Sequence, residues 1–186
     1  MASQSKNGTD LKDAIALLKS DHRTVEGLFA QFETTKSGSK KGELARKVCI
    51  ELIIHSTIEE EIFYPTFRGK IDDDILDEAY VEHDGAKLMI TELLNGKPDD
   101  DFFDAKFTVL AEEIKHHIRE EEKRGEGVFA QARETDVDLK ELGAKLQARK
   151  DELKAEIAKS GPPTPVTRTL HNPKLKHGEP VPSTAV

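Results

Sequence analysis

Apolar residues recur at spacings of three and four along four segments of the chain, a pattern typical of amphipathic helices that bury one face. The first segment lies between NGTD and SGSKKG, with Thr9 or Asp10 as a suitable N-cap. The second runs from about Glu43 to Tyr64, where Pro65 favours termination soon after. The third follows GKIDDD and closes at NGKP, and the fourth begins near DDDFFD. The apolar stripes are Leu11, Ile15, Leu18, Val25, Phe29 and Phe32; Val48, Leu52 and Ile62; Leu76, Ala79, Ala86, Ile90 and Leu93; and Phe103, Phe107, Leu110 and Ile114.

These segments predict an all-α fold, an up-and-down antiparallel four-helix bundle over residues 9–130. After the KRGEG stretch, which predicts a loop or a broken helix, a leucine series predicts an additional amphipathic helix within residues 131–160. That helix would lie across the bundle or pair with another chain. Residues 1–8 are expected to be disordered, and the Pro-rich residues 161–186 form an extended or disordered tail. The leucine series of the fifth helix is Leu139, Leu142, Leu146 and Leu153, followed by Ile157.

The composition of the chain limits the kinds of partner and the cellular compartment that we expect. A formal net charge of −8 and a pI near 5.4 argue against a nucleic-acid or anionic-membrane surface, because both require a concentrated basic face. The sequence has no apolar run long enough for a membrane span, and MASQSKNGTD lacks the core of a signal peptide. A single cysteine, Cys49, excludes an intrachain disulfide and falls in an apolar setting that predicts a core position. We expect a cytoplasmic protein with small or cationic partners.

Each of the four stripes is interrupted by one histidine: His22, His55, His83 and His117. A lone histidine on an apolar stripe is usually a buried residue with a hydrogen-bond partner. Four of them, one on each helix of a bundle, are expected to converge in the interior, because mid-helix positions share one level along the axis. His117 lies later in its helix than the others, so its level is the least defined by the pattern.

Two glutamates, Glu59 and Glu121, each follow a stripe histidine by four residues, the spacing that places two side chains on one helical face. An unpaired buried carboxylate is costly, so these residues predict either a bound cation or salt bridges at the rim of the bundle. Four imidazoles and two carboxylates suit a pair of divalent metal ions. Without a thiolate the set favours iron or manganese over a closed structural zinc site, and two iron ions are the preferred interpretation.

Four motifs carry a resemblance to a known family: DHRTVEGLF, HSTIEEEIFYP, EHDGAKLMITEL and HHIREEE, one on each predicted helix. Over roughly residues 10–130 the chain resembles hemerythrin-like proteins of the HHE cation-binding domain family. The resemblance implies a four-helix bundle around a non-haem di-iron centre. A reduced iron pair with an open position can bind O2 or NO. Carried over motif by motif, it implies six metal ligands, with the two glutamates bridging: His22, His55, Glu59, His83, His117 and Glu121.

The chain departs from the oxygen-carrying members of that family at one ligand position. Those proteins are understood to use a fifth histidine four residues after the third-helix histidine, and here that position is Lys87. One iron would then have water or an exchangeable position in place of imidazole. His116 could supply another nitrogen, but it points about 100° away from His117 around the helix, which favours a place behind the ligands or on the surface.

Several neighbours have both a functional and a structural interpretation. Glu26 could contact a metal ligand from behind, although its place beside the stripe favours a boundary salt bridge. Tyr64 and Tyr80 could donate their hydroxyls to a ligand or simply pack. Asp21 and Glu82 are candidate acceptors for imidazole N–H groups. The residues expected on a solvated face are Glu60, Glu61, Glu120 and Glu122, and those expected to bind nothing are His171 and His177.

Three functions remain compatible with such a centre. A sensor or store of O2 or NO predicts a dry, apolar pocket. A redox enzyme, such as a peroxidase, an oxidase or an NO-handling catalyst, predicts an additional acid or donor near the open iron. An iron-handling or iron-repair protein predicts a labile metal and a docking surface, for which the acidic faces or the Pro-rich tail could serve. The C-terminal helix or the tail could also tether the domain to a protein partner. The sequence favours binding over catalysis, and the motifs alone leave enzymatic activity undecided.

Overall fold

The structure is a computed structural model that describes residues 12–171 and residue 178. These residues form α-helices joined by short turns, and no strand occurs among them, which confirms the all-α prediction. The elements are α1 (Ala14–Thr34), α2 (Gly38–Ile58), a π-helical segment (Glu59–Phe63), α3 (Tyr64–Phe67), α4 (Asp73–Asn95), α5 (Phe103–Glu121), α6 (Val128–Arg133) and α7 (Leu139–Ser160).

Helices α1, α2, α4 and α5 form a four-helix bundle in which each helix packs against the next in sequence and α5 returns to α1. One hydrophobic cluster joins the late residues Phe29 of α1 and Ile90 of α4 to the early residues Ala45 of α2 and Phe107 of α5. Ends that alternate in this way define antiparallel neighbours. The predicted bundle is therefore confirmed.

The start of α1 differs from the prediction. Asp13 is the N-cap, and its side chain accepts a hydrogen bond from the backbone N–H of Ala16 at 2.7 Å. Thr9 and Asp10, which were the predicted caps, lie outside the described residues, as do residues 1–8. At α4 the predicted signals hold, because the helix begins after Asp72 and ends before Gly96.

Helix α2 begins at Gly38, earlier than the position near Glu43 that the apolar stripe predicts. Ser37 is the N-cap, and its hydroxyl faces the backbone N–H of Lys40 at 3.5 Å, so the stretch interpreted as a turn is helical. Gly42 lies against Pro98, and a Cβ at this glycine would stand 2.7 Å from the proline Cγ. The glycines that suggested a turn therefore allow close packing of the α2 start against the α4–α5 loop.

The helix that carries His55 does not remain α-helical to its end. From Glu59 to Phe63 it is π-helical, and the N–H of Tyr64 bonds to the carbonyl oxygen of Glu59. Such segments are rare and are frequently found at functional sites. Pro65 lies in the first turn of α3, where a missing N–H is tolerated, and the helix therefore continues to Phe67.

The C-terminal helix α7 begins at Leu139, where the leucine series predicts it, and packs against α1 and α2. Gly143 permits this approach, since a Cβ there would lie 2.5 Å from the carbonyl oxygen of Lys12. Beyond α7, residues 161–171 form neither helix nor strand and hydrogen-bond to the bundle. The remaining residues of the predicted tail, apart from Gly178, lie outside the described part of the chain.

Two hydrophobic clusters occupy opposite ends of the molecule, one around Phe29 and Phe107 and the other around Phe63 and Phe129. The stripe histidines and glutamates lie between these clusters, so apolar side chains shield them at both ends. Within the described ranges, every helix is too short or too polar to cross a membrane.

Cys49 is fully buried in the first of these clusters, and burial raises the pKa of its thiol to about 12. Because the thiolate is the reactive form, we expect the native protein to resist alkylation by iodoacetamide at pH 8. Denaturant should expose the thiol and accelerate its modification at least about a hundredfold. Mass spectrometry of the alkylated chain provides the measurement, and rapid labelling of the folded protein would contradict the core placement.

Candidate metal centre

The structure brings the six stripe residues together in one buried layer, and each is at most 5% exposed. One histidine comes from each bundle helix, while one glutamate comes from the π-helical segment and the other from the last residue of α5. We call this set the inner six: His22, His55, Glu59, His83, His117 and Glu121.

The four histidines form two pairs whose ring nitrogens face each other. The Nε2 atoms of His22 and His55 are 3.1 Å apart, and those of His83 and His117 are 3.2 Å apart. The first pair joins α1 to α2 and the second joins α4 to α5. The pattern left the position of His117 along the bundle axis least defined, and the structure places its ring against His83 on the neighbouring helix.

The two glutamates lie between these pairs. Glu59 Oε2 is 3.2 Å from Nε2 of His55 and 3.4 Å from Nε2 of His83. Glu121 Oε2 approaches the other member of each pair, 3.2 Å from His22 and 3.5 Å from His117. Each carboxylate thus contacts one imidazole of each pair, as a ligand that bridges two metal ions would.

Behind each histidine, on the Nδ1 side, stands one carboxylate. Three of the four are within hydrogen-bond distance, while the fourth is farther than a direct bond allows. The pairs and their Nδ1-to-oxygen distances are His22 with Glu122 (2.8 Å), His83 with Glu60 (3.0 Å), His117 with Glu82 (2.8 Å) and His55 with Asp21 (3.7 Å).

These four carboxylates, the carboxylate ring, follow one rule. Each is adjacent in sequence to a member of the inner six but stands behind a histidine of the next helix around the bundle. Asp21, beside His22 on α1, faces His55 on α2, for example. A step of one residue turns a side chain by about 100°, which aims it at the neighbouring helix. The expected solvated positions of Glu60 and Glu122 were therefore wrong, since both face histidines.

A basic group lies outside each member of the carboxylate ring, and two of these groups come from the C-terminal region. Lys150 of α7 contacts Asp21, and Arg168 donates from Nε to Glu60 at 2.6 Å. Sequence reasoning missed both contacts. The other two carboxylates have bases from the bundle itself: Arg23 contacts Glu122, and His116 Nε2 lies 3.3 Å from Glu82.

Lys87, which replaces the fifth histidine of oxygen carriers, is buried. Its Nζ donates to Glu60 at 2.7 Å and to Asp84 at 3.0 Å. The lysine is therefore held in an ion-pair network beside the His83 ring rather than standing as a substitute ligand.

A cavity of about 20 Å³ adjoins all four histidines, which is room for roughly one water-sized molecule. Lys87 reaches its wall, together with Asp21 and Ser56. The rest of the lining is aliphatic: Val25, Leu52, Ala86, Ile90, Ile114 and Ile118.

Tyr64 is the closest of the flanking candidates to the inner six. Its hydroxyl donates to Glu121 Oε1 at 2.8 Å and lies 3.4 Å from Glu59 Oε2. Tyr80 reaches only the backbone oxygen of Glu60, at 3.4 Å.

The other flanking candidates lie farther out. Glu26 forms a surface ion pair with Arg23 at 3.2 Å, as the boundary interpretation expected. His116 is half exposed and reaches the centre only through Glu82, and His171 is exposed. His177 lies outside the described residues.

Burial and neighbouring charges shift the pKa values of several members of the inner six. Burial, together with the charges of Glu121 and Asp21, raises the pKa of Glu59 well above its usual range. Burial also acts to raise the pKa of Glu121, but His117 and His22 outweigh it and lower that pKa. Burial lowers the pKa of His55 to about 4. The same cluster therefore shifts the pKa values of the two glutamates in opposite directions, up for Glu59 and down for Glu121.

The donor atoms fit a pair of cations. Where Nδ1 donates to a carboxylate, as at His83 and His117, Nε2 is left with a lone pair, and two such lone pairs 3.2 Å apart require a proton or a metal ion between them. Among the described residues, Glu59 Oε1 and Glu121 Oε2 also lack hydrogen-bond partners although both are buried. The ligand atoms form two overlapping groups within 4.8 Å: His22, His55, Glu59 and Glu121, and Glu59, His83 and His117.

A four-helix bundle that encloses such a cluster of imidazoles and carboxylates belongs to the metal-binding bundles. The model of the Hemerythrin HHE cation binding domain matches residues 13–124, and the chain is a member of this family of cation-binding domains. The predicted resemblance is therefore confirmed. No curated protein sequence matches the chain.

A solved structure has the same fold. The crystal structure of a Hemerythrin HHE cation binding domain-containing protein from Mycobacterium kansasii superposes with a TM-score of 0.67 at 23% sequence identity. The match covers 81% of this chain and 94% of that chain. At this level of identity the similarity establishes the fold, and function has to be argued from the site.

Proposed function

We propose that the protein is a non-haem di-iron protein that binds O2 or NO at an open iron position and acts as a sensor or store. The observation that carries the proposal is the position of Glu59 and Glu121, each between the two histidine pairs. In this assignment His22 and His55 would hold one iron and His83 and His117 would hold the other. Both glutamates would be shared by the two ions.

Donor chemistry supports iron. Imidazole nitrogens and carboxylate oxygens suit iron or manganese, and the one thiol, Cys49, belongs to the hydrophobic core. A reduced iron pair supplies electrons that O2 can accept, and an open position on either ion can bind NO. The carboxylates behind the histidines hold the ring nitrogens in the orientation that ligation requires.

The cavity beside the histidines supports a gas ligand. Its size suits a diatomic molecule, and most of the lining residues other than the histidines are aliphatic, which favours an uncharged apolar ligand over a hydrated ion. Lys87 in place of a fifth histidine leaves one coordination position without a protein nitrogen. A small ligand in this cavity would therefore lie between the four histidines and the aliphatic side chains of the wall.

Two observations favour alternative functions. Lys87 places an ammonium group at the cavity wall, and such a proton donor suits a di-iron redox enzyme: a peroxidase, an oxidase or an NO-handling catalyst. A surface cavity of about 370 Å³ reaches His117 and Glu121, and acidic residues in its lining outnumber the one basic residue, Lys123. That route suits exchange of iron, as an iron-handling or iron-repair protein would need.

An optical experiment separates these functions. The protein is loaded with iron, reduced without oxygen and monitored while O2 is admitted and then withdrawn. A visible band that appears with O2 and disappears on its removal would support the sensor or store. Irreversible oxidation without a lasting band would support catalysis or iron handling, and a chain that retains no iron would overturn the proposal.

The carboxylate ring gives a further prediction. Glu122→Gln should weaken the hydrogen bond to His22 Nδ1 and reduce metal affinity about tenfold or more, as such outer carboxylates usually do. Glu120→Gln, an exposed position on the same helix, should leave affinity unchanged. Competition with a chelator of known affinity measures both variants, and equal affinities would show that Glu122 is dispensable for ligation.

A further inference from the structure

The C-terminal segment after α7 is bound to the bundle at a buried carboxylate. Asp84 of α4 is fully buried, and its Oδ2 accepts hydrogen bonds from the backbone N–H groups of Arg168 (2.9 Å), Thr169 (2.6 Å) and Leu170 (3.0 Å). The hydroxyl of Thr169 donates to the same oxygen at 2.8 Å. Three consecutive amides around one carboxylate form an anion-binding nest. Residues 168–170 are therefore fixed by specific bonds, and we call them the clamp.

A short chain of hydrogen bonds joins the clamp to the metal centre. Arg168 Nε donates to Glu60 Oε2 at 2.6 Å, and the other oxygen of Glu60 lies 3.0 Å from His83 Nδ1. Lys87 ties the two carboxylates together, since its Nζ donates to both Glu60 and Asp84. The side chain that orients His83 is thus held from one side by Lys87 and from the other by the clamp.

Charge balance gives the clamp a second role. Glu60 and Asp84 are both buried carboxylates, and Lys87 supplies one cation for the two of them. The guanidinium of Arg168 supplies the second. Lys87 and His83 both contact Oε1 of Glu60, whereas Arg168 contacts Oε2. Without Arg168, Oε2 would lose this contact and the carboxylate would be less fixed in its orientation. The region matched by the family ends at residue 124, so this cation comes from outside the family domain.

We propose that residues 168–170 are an intramolecular clamp that holds His83 in its ligating orientation, with Arg168 as a positioning residue acting through Glu60. The inference rests on the proposed function in so far as His83 is a metal ligand. The docking of the clamp on Asp84 does not depend on metal. The two parts can therefore be tested separately.

Hydrogen exchange on the metal-free, full-length protein tests the docking. The amides of residues 168–170 should exchange more than about tenfold slower than those of an unstructured peptide. Thr169→Pro removes two of the donors, and Asp84→Asn removes the charge that accepts them, so either change should abolish the protection. Asp136→Asn, at a fully exposed aspartate, is the control. Unprotected amides in the wild type would overturn the clamp, whatever the metal content.

Release of iron into a ferrous chelator tests the positioning role. In Arg168→Ala and in Thr169→Pro, one of the two irons should leave about three to ten times faster. This effect is smaller than that of removing a carboxylate that contacts a histidine ligand directly. Arg168→Lys, which keeps a cation within reach of Glu60, should restore slow release. Arg133→Ala, at another half-exposed arginine, is the matched control.

The outcomes are distinct. A fast phase of one iron per chain in both clamp variants, with rescue by lysine, supports the proposal. Wild-type release from variants whose amides have lost protection would overturn the positioning role. A wild-type chain that binds no iron pair would overturn that role together with the proposed function, and hydrogen exchange would still report whether the clamp exists.

Discussion

Replacing Glu59 by glutamine is expected to remove both metal ions from the protein, not one. Its Oε2 lies 3.2 Å from Nε2 of His55 and 3.4 Å from Nε2 of His83, so a single oxygen serves both histidine pairs. The amide of glutamine has no negative charge and offers one oxygen. Both ions would then lose one of the two carboxylates that they share, and only Glu121 would remain between the histidine pairs. We expect binding to fall from two irons to less than about half an iron per chain, since loss of a direct ligand costs more than loss of an outer partner.

Glu61→Gln is the matched control for this experiment. Glu61 is two residues away in the same π-helical segment, but it faces α7 and pairs with Arg149 at 2.8 Å. It should keep both irons. Metal analysis after desalting, with circular dichroism to verify helix content, measures the two variants side by side. Retention of one iron by Glu59→Gln would mean that Glu59 serves one ion, and retention of two would exclude the bridge.

The inner six could be predicted because each is a polar residue at a position where the helical pattern calls for an apolar one. A histidine in place of an aliphatic residue on a buried stripe is visible in the sequence, and a glutamate four residues later strengthens the signal. The structure adds how they meet: His22 with His55 and His83 with His117, with each glutamate between the pairs. Helix periodicity defines which face a residue occupies but not which neighbour it reaches.

Only two of the four residues of the carboxylate ring could be predicted, again because helix periodicity does not show which neighbour a side chain reaches. Asp21 and Glu82, which each precede a histidine, were among the candidate acceptors, whereas Glu60 and Glu122, which each follow a glutamate, were placed in solvent. In each case the side chain points about 100° away from the metal layer, where a helix wheel alone suggests exposure. The neighbouring helix covers that direction. Adjacency to a ligand was the signal that could have identified all four.

The clamp could not be predicted, because its donors are backbone amides, which every residue except proline carries. The composition of the tail, rich in proline and poor in apolar residues, is typical of disorder. What holds residues 168–170 is the buried charge of Asp84, and its position became known only with the fold. The π-helical segment likewise left no recognisable mark in the sequence.

The second large effect concerns stability, and the metal ions should raise it. The inner six form a cage only in the native chain, so bound metal stabilises the folded state. At a free metal concentration about a thousandfold above the dissociation constant, linkage contributes roughly 4 kcal/mol, or about 8–16 °C in Tm for a chain of this size. Differential scanning calorimetry with and without a chelator measures the shift. An unchanged Tm would mean that the buried groups satisfy one another without metal.

Glu59→Gln should change stability in opposite directions in the two states. In the metal-free protein the fully buried Glu59 has one oxygen without a partner among the described residues, and burial beside Glu121 raises its pKa. Folding must therefore bury a charge or take up a proton, and both oppose it. Glutamine avoids this cost, and its amide can donate toward His55 or His83. We expect the metal-free variant to gain about 1–3 kcal/mol.

With metal present, the same variant should lose the stabilisation that the wild type gains. Replacing a residue that only packs in the core would destabilise both the metal-free and the metal-bound protein. A variant that stabilises the metal-free protein and destabilises the metal-bound one therefore identifies a buried carboxylate whose charge is balanced by a bound cation. Glu61→Gln, exposed and outside the centre, should leave both Tm values within about 2 °C of the wild type, as surface changes usually do. Destabilisation of the metal-free protein by Glu59→Gln would show that Glu59 has a partner in the core and that the metal is not what its charge serves.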